Sequence, residues 1–566
     1  MSDKDRREAY DRRLSAMRTE RSSFMTHWRD LSEYIAPRRG RFELTDRDRG
    51  ERRHQSIING VATKALQIAT AGIFNGTMSP SRPWLLLSSE DPDLMEYGPA
   101  KKWFEVVQGT MRRIFDDSNL YAMAPVMIRE ELLFGTGCMS HEDDPESLAR
   151  FYTHTVGSYM VAQSDRLVVD TVAREFEMTV RQVVEWFSPA DGSAGRNLSA
   201  FVRDAYDRGD YDKWVPVVQF VHPNADFVPG SASPTKRRFA SVYYEPGQTN
   251  RSTFLSERGM DEFPFYVPRW ELTGEDIYGT NCPGMTALGD VKQLQLMERR
   301  KAQAIDKMVS PPLQGPPGLR NVPIENLPGG TTIFDPSSTG KGVTPLYDVR
   351  LPLDSLTTDM QGVERRIGEA FYTDLFKAIS SMEGIQPRNQ FELMQRHQER
   401  LLELGPVLER QYGDFLDLLV ARTFNQMAAA NLLPPPPPEI QRTFVKPRYV
   451  SMLALAQQSV ITGNIDRLVA FTAGLAGSGF ADVLDKFDAD QAVDEYAGMV
   501  GAPLHLVVPD DQVAEARANR QRMQSMQAMA QMAKDAGPAV AAMGEIPLGE
   551  DNVAGRMASV MAGGRR

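Results

Sequence analysis

Cysteine is scarce in this chain, which has only Cys138 and Cys282 among its 566 residues. The two lie far apart in the sequence, and neither belongs to a metal-ligand pattern. A disulfide framework and a cysteine-based zinc site are therefore excluded. We expect both thiols to be buried as small apolar side chains.

Long hydrophobic runs are also absent. No stretch approaches the roughly 18 consecutive apolar residues that indicate a membrane-spanning helix. The first ten residues, MSDKDRREAY, are charged and do not form a secretory signal. We therefore predict a protein that is made and kept in a cytoplasm and has no membrane partner.

An excess of basic residues is missing as well. The chain has 64 Lys and Arg against 75 Asp and Glu, which gives a formal net charge of −11. A protein that grips DNA over its whole surface would normally be basic, because neutralised phosphates supply most non-specific affinity. The charge balance argues against a repressor-like or histone-like role.

Catalytic motifs are missing too. A phosphate-binding loop needs a glycine five residues before its Gly-Lys pair, but Asp335 stands at that position before Gly340 and Lys341. His141 and Glu142 lack the second histidine of a helical zinc site. We predict no enzymatic activity, no catalytic residue, no metal site and no cofactor.

The first half of the chain has mixed helical and strand patterns. Apolar residues at helical spacing predict a helix over 5–35, and further helices follow over 57–78, 99–115 and 122–134. From about residue 149 the period changes to two, which predicts an antiparallel sheet beside these helices, interrupted by one helix over 179–187.

An arginine-rich stretch follows the first helix. Residues 38–55 hold seven arginines against four acids and have almost no apolar side chain. We interpret this stretch as a solvated loop in preference to a DNA or partner contact.

The second half is predominantly helical. A helix is predicted over 283–309 and another over 354–379, separated by a Pro/Gly-rich segment. The pattern of residues 401–438 predicts an amphipathic helix that is kinked at Pro406 and ended by Pro434 to Pro438. The fold class is therefore α+β and mainly helical.

Shorter helices are predicted after the prolines. They cover 450–458, 465–473 and 480–497, and a polar, methionine-rich helix covers 511–534. The methionines of the last helix, at steps of three, indicate packing against a neighbouring copy in preference to an adaptable partner surface.

Several segments resemble the head-to-tail connector, or portal, proteins of short-tailed bacteriophages. They share the order of that family, and the clearest are LQIATAGIFNGTMSPSRPWLLL (66–87), LLFGTG (132–137), PRNQFELMQRHQERLLELGPVLERQ (387–411) and LLPPPPPEI (432–440). Each is weak alone, but together they span nearly the whole chain. The resemblance implies a portal fold that assembles as a ring, usually a dodecamer, at one capsid vertex.

The resemblance also implies a division of the chain. The expected parts are a wing (1–282), a first stem helix (283–309), a clip (310–353), a second stem helix (354–379), a tunnel loop (380–389), a long kinked wing/crown helix (390–433), a crown (434–540) and a flexible tail (541–566). Double-stranded DNA would pass through the channel during packaging and ejection. The expected protein partners are the terminase large subunit, tail adaptor and nozzle proteins, and the major capsid and scaffolding proteins.

Candidate contact residues follow from that division. In a ring each charge is repeated once per subunit. Lys377, Glu383 and Arg388 would surround the DNA at the tunnel loop. Arg299, Arg300 and Lys301 would form a basic belt on the stem, and Asn321 and Lys341 would meet partners at the clip. The net negative charge suits a channel through which DNA must slide.

Two other classes were weighed. A packaging enzyme, such as a terminase or nuclease, would need a phosphate loop or a carboxylate motif, and neither is present. A helical scaffold or adaptor would be compatible with the apolar stripe of 354–379, but not readily with a strand-rich domain of about 130 residues or with the order of segments.

Overall fold

The computed structural model describes residues 3–42, 55–89, 91, 94, 97–188, 197–231, 233–247, 254–315, 317, 324–325, 330, 333, 344–346, 353–381, 403–440, 445–450, 452–478, 486–500, 507–508 and 510–543. Within these residues helices predominate and antiparallel strands accompany them, which confirms the predicted α+β class. The predicted tail 541–566 lies almost entirely outside them.

The helices of the described residues alternate with strands in the first half of the chain and dominate the second half. They are α1 (Asp3–Ile35), α2 (Val61–Met78), α3 (Gly98–Asp117), α4 (Leu120–Phe134), α5 (Val180–Phe187), α6 (Ala200–Asp207), α7 (Pro283–Val309), α8 (Leu353–Ala370), α9 (Thr373–Ser381), α10 (Gly405–Gln411), α11 (Asp417–Ala429), α12 (Met452–Gly477), α13 (Ala489–Val500) and α14 (Asp510–Met543).

The strands are β1 (Leu85–Ser89), β2 (Met139–Asp144), β3 (Leu148–Thr153), β4 (Tyr159–Gln163), β5 (Val169–Thr179), β6 (Trp214–Pro223), β7 (Phe239–Tyr244), β8 (Ser256–Met260), β9 (Phe265–Tyr266), β10 (Leu313–Gln314), β11 (Thr344–Pro345) and β12 (Val445–Tyr449).

The strand-rich region forms two sheets instead of the one expected. One has five strands in the order β4-β5-β6-β7-β8, and the other has three in the order β3-β2-β9. The chain leaves the smaller sheet for the larger at Gly157, which has φ +87. A β-carbon there would lie 1.7 Å from the carbonyl oxygen of Arg41, so the turn requires glycine.

Helix α1 lies on one face of the five-stranded sheet. Leu14 and Met17 pack against buried Phe220 and Val242 of that face. Arg18 bonds to the carboxylate of Glu175 on β5. The predicted helix 5–35 is thereby confirmed, and its apolar stripe explains which face it buries.

Helix α6 is a second helix in this region, where the sequence predicts only α5. It begins after Ser199, whose hydroxyl accepts the N–H of Val202 at 3.2 Å. Only Val202 and Ala205 are buried along its eight residues. Two buried positions are too few for a helical period to be recognised in the sequence.

The main core surrounds α2, and both cysteines are buried in it, as expected. Two glycines of α2 allow other helices to approach closely. A β-carbon at Gly72 would lie 2.2 Å from the ring of Phe376 on α9, and one at Gly76 would lie 2.5 Å from Leu453 on α12. Helix α2 therefore joins the two halves of the chain.

Strands β1 and β12 make a second connection between the halves. They pair antiparallel, with Leu85 opposite Tyr449. The ring of Tyr449 stacks on Tyr412 at 4.7 Å and on Trp84 at 6.4 Å. The pairing joins residues more than 350 positions apart in sequence, and the short pattern of β12 did not predict a strand.

The predicted helix 354–379 is divided into α8 and α9. Tyr372 at the break has φ +52, and the hydroxyl of Thr373 donates to Gly368 O at 3.1 Å. The apolar stripe is nonetheless buried along both helices, at Met360, Val363, Ile367, Phe371 and Leu375. The apolar residues stay buried on both sides of the break. Their spacing in the sequence therefore gives no sign of it.

A helix begins at the predicted Gly405–Pro406 interruption. Residue 403 is helical, 404 is a turn, and α10 starts at Gly405 with Pro406 in its first turn, where its missing N–H costs no hydrogen bond. Residues 390–402 lie outside the described residues, so the kink between the two parts stays a prediction. A π-helical segment, Tyr412–Leu416, which the sequence did not predict, joins α10 to α11.

The prediction that Pro434 to Pro438 end the helix that contains α11 is wrong. Helix α11 ends at Ala429, before the first proline. Asn431 has φ +55, Leu432 N–H donates to Met427 O at 2.9 Å and Asn431 N–H donates to Ala428 O at 3.1 Å. This is the Schellman arrangement, so a left-handed residue terminates the helix.

The later helices differ from their predicted bounds. The two short helices 450–458 and 465–473 form one helix, α12, which continues through Gly463. The helix expected over 480–497 is α13, from Ala489 to Val500, and the last helix extends to Met543. Packing against other helices thus outweighs the single glycine that suggested a break.

The conformation of Asn431 generates a test. A left-handed backbone costs a non-glycine residue about 1–2 kcal/mol. Asn431→Gly should therefore raise the free energy of unfolding by up to about 1 kcal/mol in urea titrations. Ala430→Gly, at the neighbouring residue with negative φ, should lower it. A loss of stability in both variants would contradict the assignment.

Candidate functional site

The two helices α7 and α8 form an antiparallel arm. Pro283 stands in the first turn of α7, and the predicted bounds 283–309 are confirmed. The base of α7 is buried at Ala287, Leu288, Val291, Leu294 and Gln295, whereas no residue of α7 after Gln295 is buried. At about 1.5 Å per residue the helix is about 40 Å long, and about half of it extends beyond the core.

Gln295 fixes the point at which the arm leaves the body. Its side-chain oxygen accepts the N–H groups of Ile58 at 2.7 Å and Asn59 at 2.8 Å, and its amide nitrogen donates to Asn59 O at 2.8 Å. The side chain is 4% exposed. Buried polar groups are costly unless they are paired, so this set of bonds admits one position of α7 against the turn before α2. We call it the Gln295 joint.

Asn59 extends the Gln295 joint to the second helix of the arm. Its side-chain nitrogen donates to Glu298 of α7 at 3.1 Å and to Glu364 of α8 at 2.9 Å. Its side-chain oxygen accepts the N–H of Val61 at 2.9 Å at the start of α2. One residue thus connects α2, α7 and α8.

Two ion pairs flank the Gln295 joint. Arg366 of α8 donates to Asp290 of α7 through Nε at 3.0 Å and Nη2 at 2.8 Å. Lys292 Nζ lies 2.6 Å from Asp30 Oδ2 on α1. These ion pairs are partly exposed, so each contributes little to the free energy of unfolding. Their role is to orient α7 relative to α8 and α1.

The predicted basic belt lies on the distal half of α7. Arg299 and Arg300 are exposed and Lys301 is half-buried. None of the three forms an ion pair within the described part of the chain. Consecutive residues are about 100° apart around a helix, so the three side chains spread over about 200° and cannot all face one surface.

Of the other five predicted contact residues, the structure describes only Lys377. Lys377 is exposed on α9, next to Phe376, which packs at Gly72 of α2. Glu383 and Arg388 of the predicted tunnel loop, and Asn321 and Lys341 of the predicted clip, lie outside the described residues. The clip is represented by β10 and β11, which pair antiparallel beyond the end of α7.

Two buried acids of α4 were missed from the sequence. Glu130 is fully buried, and its carboxylate accepts hydrogen bonds from the hydroxyl of Thr155 and from the N–H of Val156.

Two arginines of the stretch 38–55 lie next to buried or partly buried acids. Arg39 lies 3.6 Å from Glu130, and Arg41 lies 3.6 Å from Glu177. These two arginines of the stretch 38–55 therefore contact acids of α4 and β5, contrary to the solvated-loop interpretation. Residues 43–54 lie outside the described residues.

Glu131 faces the π-helical segment. Gln411, with its amide nitrogen turned toward α4, donates to the two carboxylate oxygens at 2.7 and 3.1 Å. Burial, with the nearby charge of Asp414, raises the pKa of Glu131 to about 8. An acid among the apolar residues of LYAMAPVMIREELLF is a sequence signal that could have identified this position.

The raised pKa predicts a pH dependence of stability. The folded chain retains the proton of Glu131 up to about pH 8, whereas the unfolded chain loses it near pH 4.5. Stability should therefore fall as pH rises between these values. Glu131→Gln removes the titrating group, so this contribution to the fall of stability with pH should vanish. The melting temperature of the variant should therefore exceed that of the native chain by an amount that grows from pH 5 to pH 8. Glu146→Gln, at an exposed acid, is the control and should have the melting temperature of the native chain at each pH. If the melting temperature of Glu131→Gln changes with pH as that of the native chain does, the burial argument is contradicted.

The Gln295 joint predicts a second effect. Gln295→Ala would remove the acceptor of the partly buried N–H groups of residues 58 and 59, which should cost about 1–2 kcal/mol of unfolding free energy. Hydrogen exchange at these two amides should accelerate. Gln293→Ala, on the exposed side of the same helix, is the matched control and should change neither quantity. Equal effects of the two changes would show that the joint does not position the arm.

Other kinds of site were sought within the described ranges. There, no helix is long and apolar enough to cross a membrane. No group of three or more His, Cys, Asp or Glu side chains in that part of the chain is arranged to hold a metal ion.

Comparison with known proteins identifies similar chains over most of the sequence. The model of a family described as bacteriophage head to tail connecting protein matches residues 7–507. The chain is 38% identical over 553 residues to a probable portal protein of Bordetella phage BPP-1, covering 98% of each chain. It is 39% identical over 511 residues to the portal protein of Salmonella phage epsilon15, covering 90% of each.

Proposed function

Because the chain belongs to the family of bacteriophage head to tail connecting proteins, we propose that its copies form a ring-shaped channel at one capsid vertex. Double-stranded DNA enters the head through this channel during packaging and leaves through it on ejection. The protein acts as a structural component of the virion and not as an enzyme. The ring has about twelve copies and assembles in the host cytoplasm.

The two-helix arm is the observation that supports this proposal best. Its base is held by the Gln295 joint, and its distal half has no buried residue in the single chain. Ile305, Met308 and Val309 are exposed there, Val309 to 77%. Exposed apolar residues on a projecting helix call for a neighbour. Equivalent arms from adjacent copies supply that neighbour when the contact closes into a ring.

The proposed division of the arm follows the family order. Helix α7 is the first stem helix, and α8 and α9 together form the second. Residues 310–353 are the clip, which binds the terminase large subunit during packaging and the tail adaptor and nozzle proteins afterwards. The wing (1–282) and crown (434–540) face the major capsid and scaffolding proteins.

Electrostatics support passage of DNA without tight binding. The chain has a net charge of −11, and a ring repeats this charge with every copy. Basic residues on the arm and near the tunnel loop, among them Arg299, Arg300, Lys301 and Lys377, interrupt a surface that otherwise repels phosphate. Few cationic contacts make a shallow energy well, so the DNA can slide.

Genome packaging tests the proposed function. Particles of the phage that encodes this chain, assembled without it, should contain no DNA and carry no tails. Normal DNA content in particles that lack the chain would overturn the channel proposal.

The basic residues at the tunnel loop are tested separately. Lys377→Gln with Arg388→Gln should reduce the DNA retained per particle, because two attractive contacts per copy are lost. Arg113→Gln with Arg150→Gln, at two exposed arginines of α3 and β3, makes the same change of charge and should leave DNA content unchanged. If the paired change at 377 and 388 has no effect, these residues do not contact DNA.

A further inference from the structure

The two sheets of the wing enclose a crevice that the channel function does not use. Its larger cavity, of about 560 Å³, is walled by Tyr152, Phe176, Trp186, Phe187 and Tyr243. A second cavity, of about 420 Å³, continues from it and shares Glu142, Trp186 and Tyr243. We call the two together the inter-sheet crevice. Mainly apolar walls with a few polar groups are typical of ligand sites.

One carboxylate of the inter-sheet crevice lacks a partner. Glu142 is half-buried, and its carboxylate makes no hydrogen bond or ion pair within the described residues. The neighbouring polar groups are paired: His141 Nδ1 lies 2.6 Å from the hydroxyl of Tyr266, and the other side of its ring faces the Gln426 side chain. A half-buried carboxylate without a donor favours a cationic occupant.

Four arginines line the crevice, at positions 174, 237, 258 and 422, and none of them forms an ion pair with Glu142 within the described residues. Arg174 donates to Gln219 Oε1 at 2.9 Å, and its guanidinium lies 4.9 Å from the ring centre of Phe176. Asp143 accepts from Gln426 at 2.6 Å and lies 3.4 Å from Arg422. Glu142 is therefore the acidic group that remains without a donor. An occupant with a guanidinium could donate to it and stack on the exposed ring of Trp186.

One side of the crevice is an open strand edge. In an antiparallel sheet, successive residues of a strand direct their backbone N–H and C=O groups alternately to one neighbour and to the other. Asn224 N–H donates to Arg238 O, so alternate residues of β7 from Arg238 onward bond to β6 and the others bond to β8. In the register of β7 with β8, it is then Arg258 and Met260 whose backbone groups bond to β7. The N–H and C=O groups of Glu257 and Gly259 consequently point outward. They meet no backbone partner in the described part of the chain. Gly259 lines the crevice. An extended peptide can add to such an edge.

We propose that the inter-sheet crevice binds an extended, arginine-bearing peptide and that residues 552–566 of this chain are that peptide. This segment, NVAGRMASVMAGGRR, contains Arg556, Arg565 and Arg566 and no acidic residue. Its backbone pairs with the outer edge of β8, and an arginine enters between Trp186 and Glu142. The 23 residues from 544 to 566 could span about 75 Å when fully extended. The inference does not require the channel function.

Hydrogen exchange of the full-length chain tests whether the edge is covered. The amides of Glu257 and Gly259 should exchange about tenfold faster when Arg556, Arg565 and Arg566 are all changed to Gln. Glu142→Gln should produce a similar acceleration, because it removes the carboxylate that the arginine contacts. Glu146→Gln, an exposed acid outside the crevice, should leave both amides as in the native chain. Equal exchange in all four chains would overturn the proposal.

Cross-linking identifies the occupant. A photoreactive benzoylphenylalanine at Met557 of the full-length chain should attach to peptides that contain 174–187 or 256–262, and Glu142→Gln should reduce the yield several-fold. Attachment elsewhere would overturn the assignment of residues 552–566 as the occupant. Circular dichroism melting of each variant separates loss of docking from loss of fold.

Discussion

The hydrogen bonds of Gln295 to the turn before α2 determine the direction of the arm. They are made in the protein interior, where an unpaired amide would be costly, and so they select one arrangement of α7. Asn59 transmits the same constraint to α8 through Glu364. Everything proposed for the arm depends on this joint, because an arm that pivoted could not present equivalent surfaces to equivalent neighbours.

The constraint divides the arm into two functional parts. Near the joint, apolar residues of α7 join the core around α2, whose glycines let α9 and α12 approach. Beyond it, α7 presents apolar and charged residues to its surroundings. The base anchors the arm to this core, and the distal half is exposed in the single chain. In the proposed channel, the negative charge of the chain would limit how tightly DNA is held.

Elements with strong local signals were predictable from the sequence. Pro283 and the Pro311-Pro312 pair bracket α7, so its bounds were predicted correctly. Non-local structure was not predictable. Strand β12 is formed by pairing with β1, and α12 continues through Gly463, since one glycine costs a helix only about 1 kcal/mol. The break at Tyr372 and the π-helical segment leave the apolar spacing intact and therefore give no signal.

The candidate site was predicted in outline only. Charges near a presumed tunnel were selected by type and position, and the structure describes four of those eight residues. The Gln295 joint was missed because a single glutamine on a helix is usually solvated, and only its burial against residues 58–59 gives it a role. Glu131 stands with Arg129 and Glu130 in a helix that is otherwise mostly apolar, and this short charged run was the usable clue.

Electron microscopy of the purified chain, with mass determination on the same sample, tests the central claim most directly. The account predicts rings of about twelve copies around an open centre, with the arms of α7 and α8 adjacent to one another along the channel wall. A population that stays monomeric or dimeric across a range of salt concentrations, including in the presence of capsid and scaffolding proteins, would contradict it.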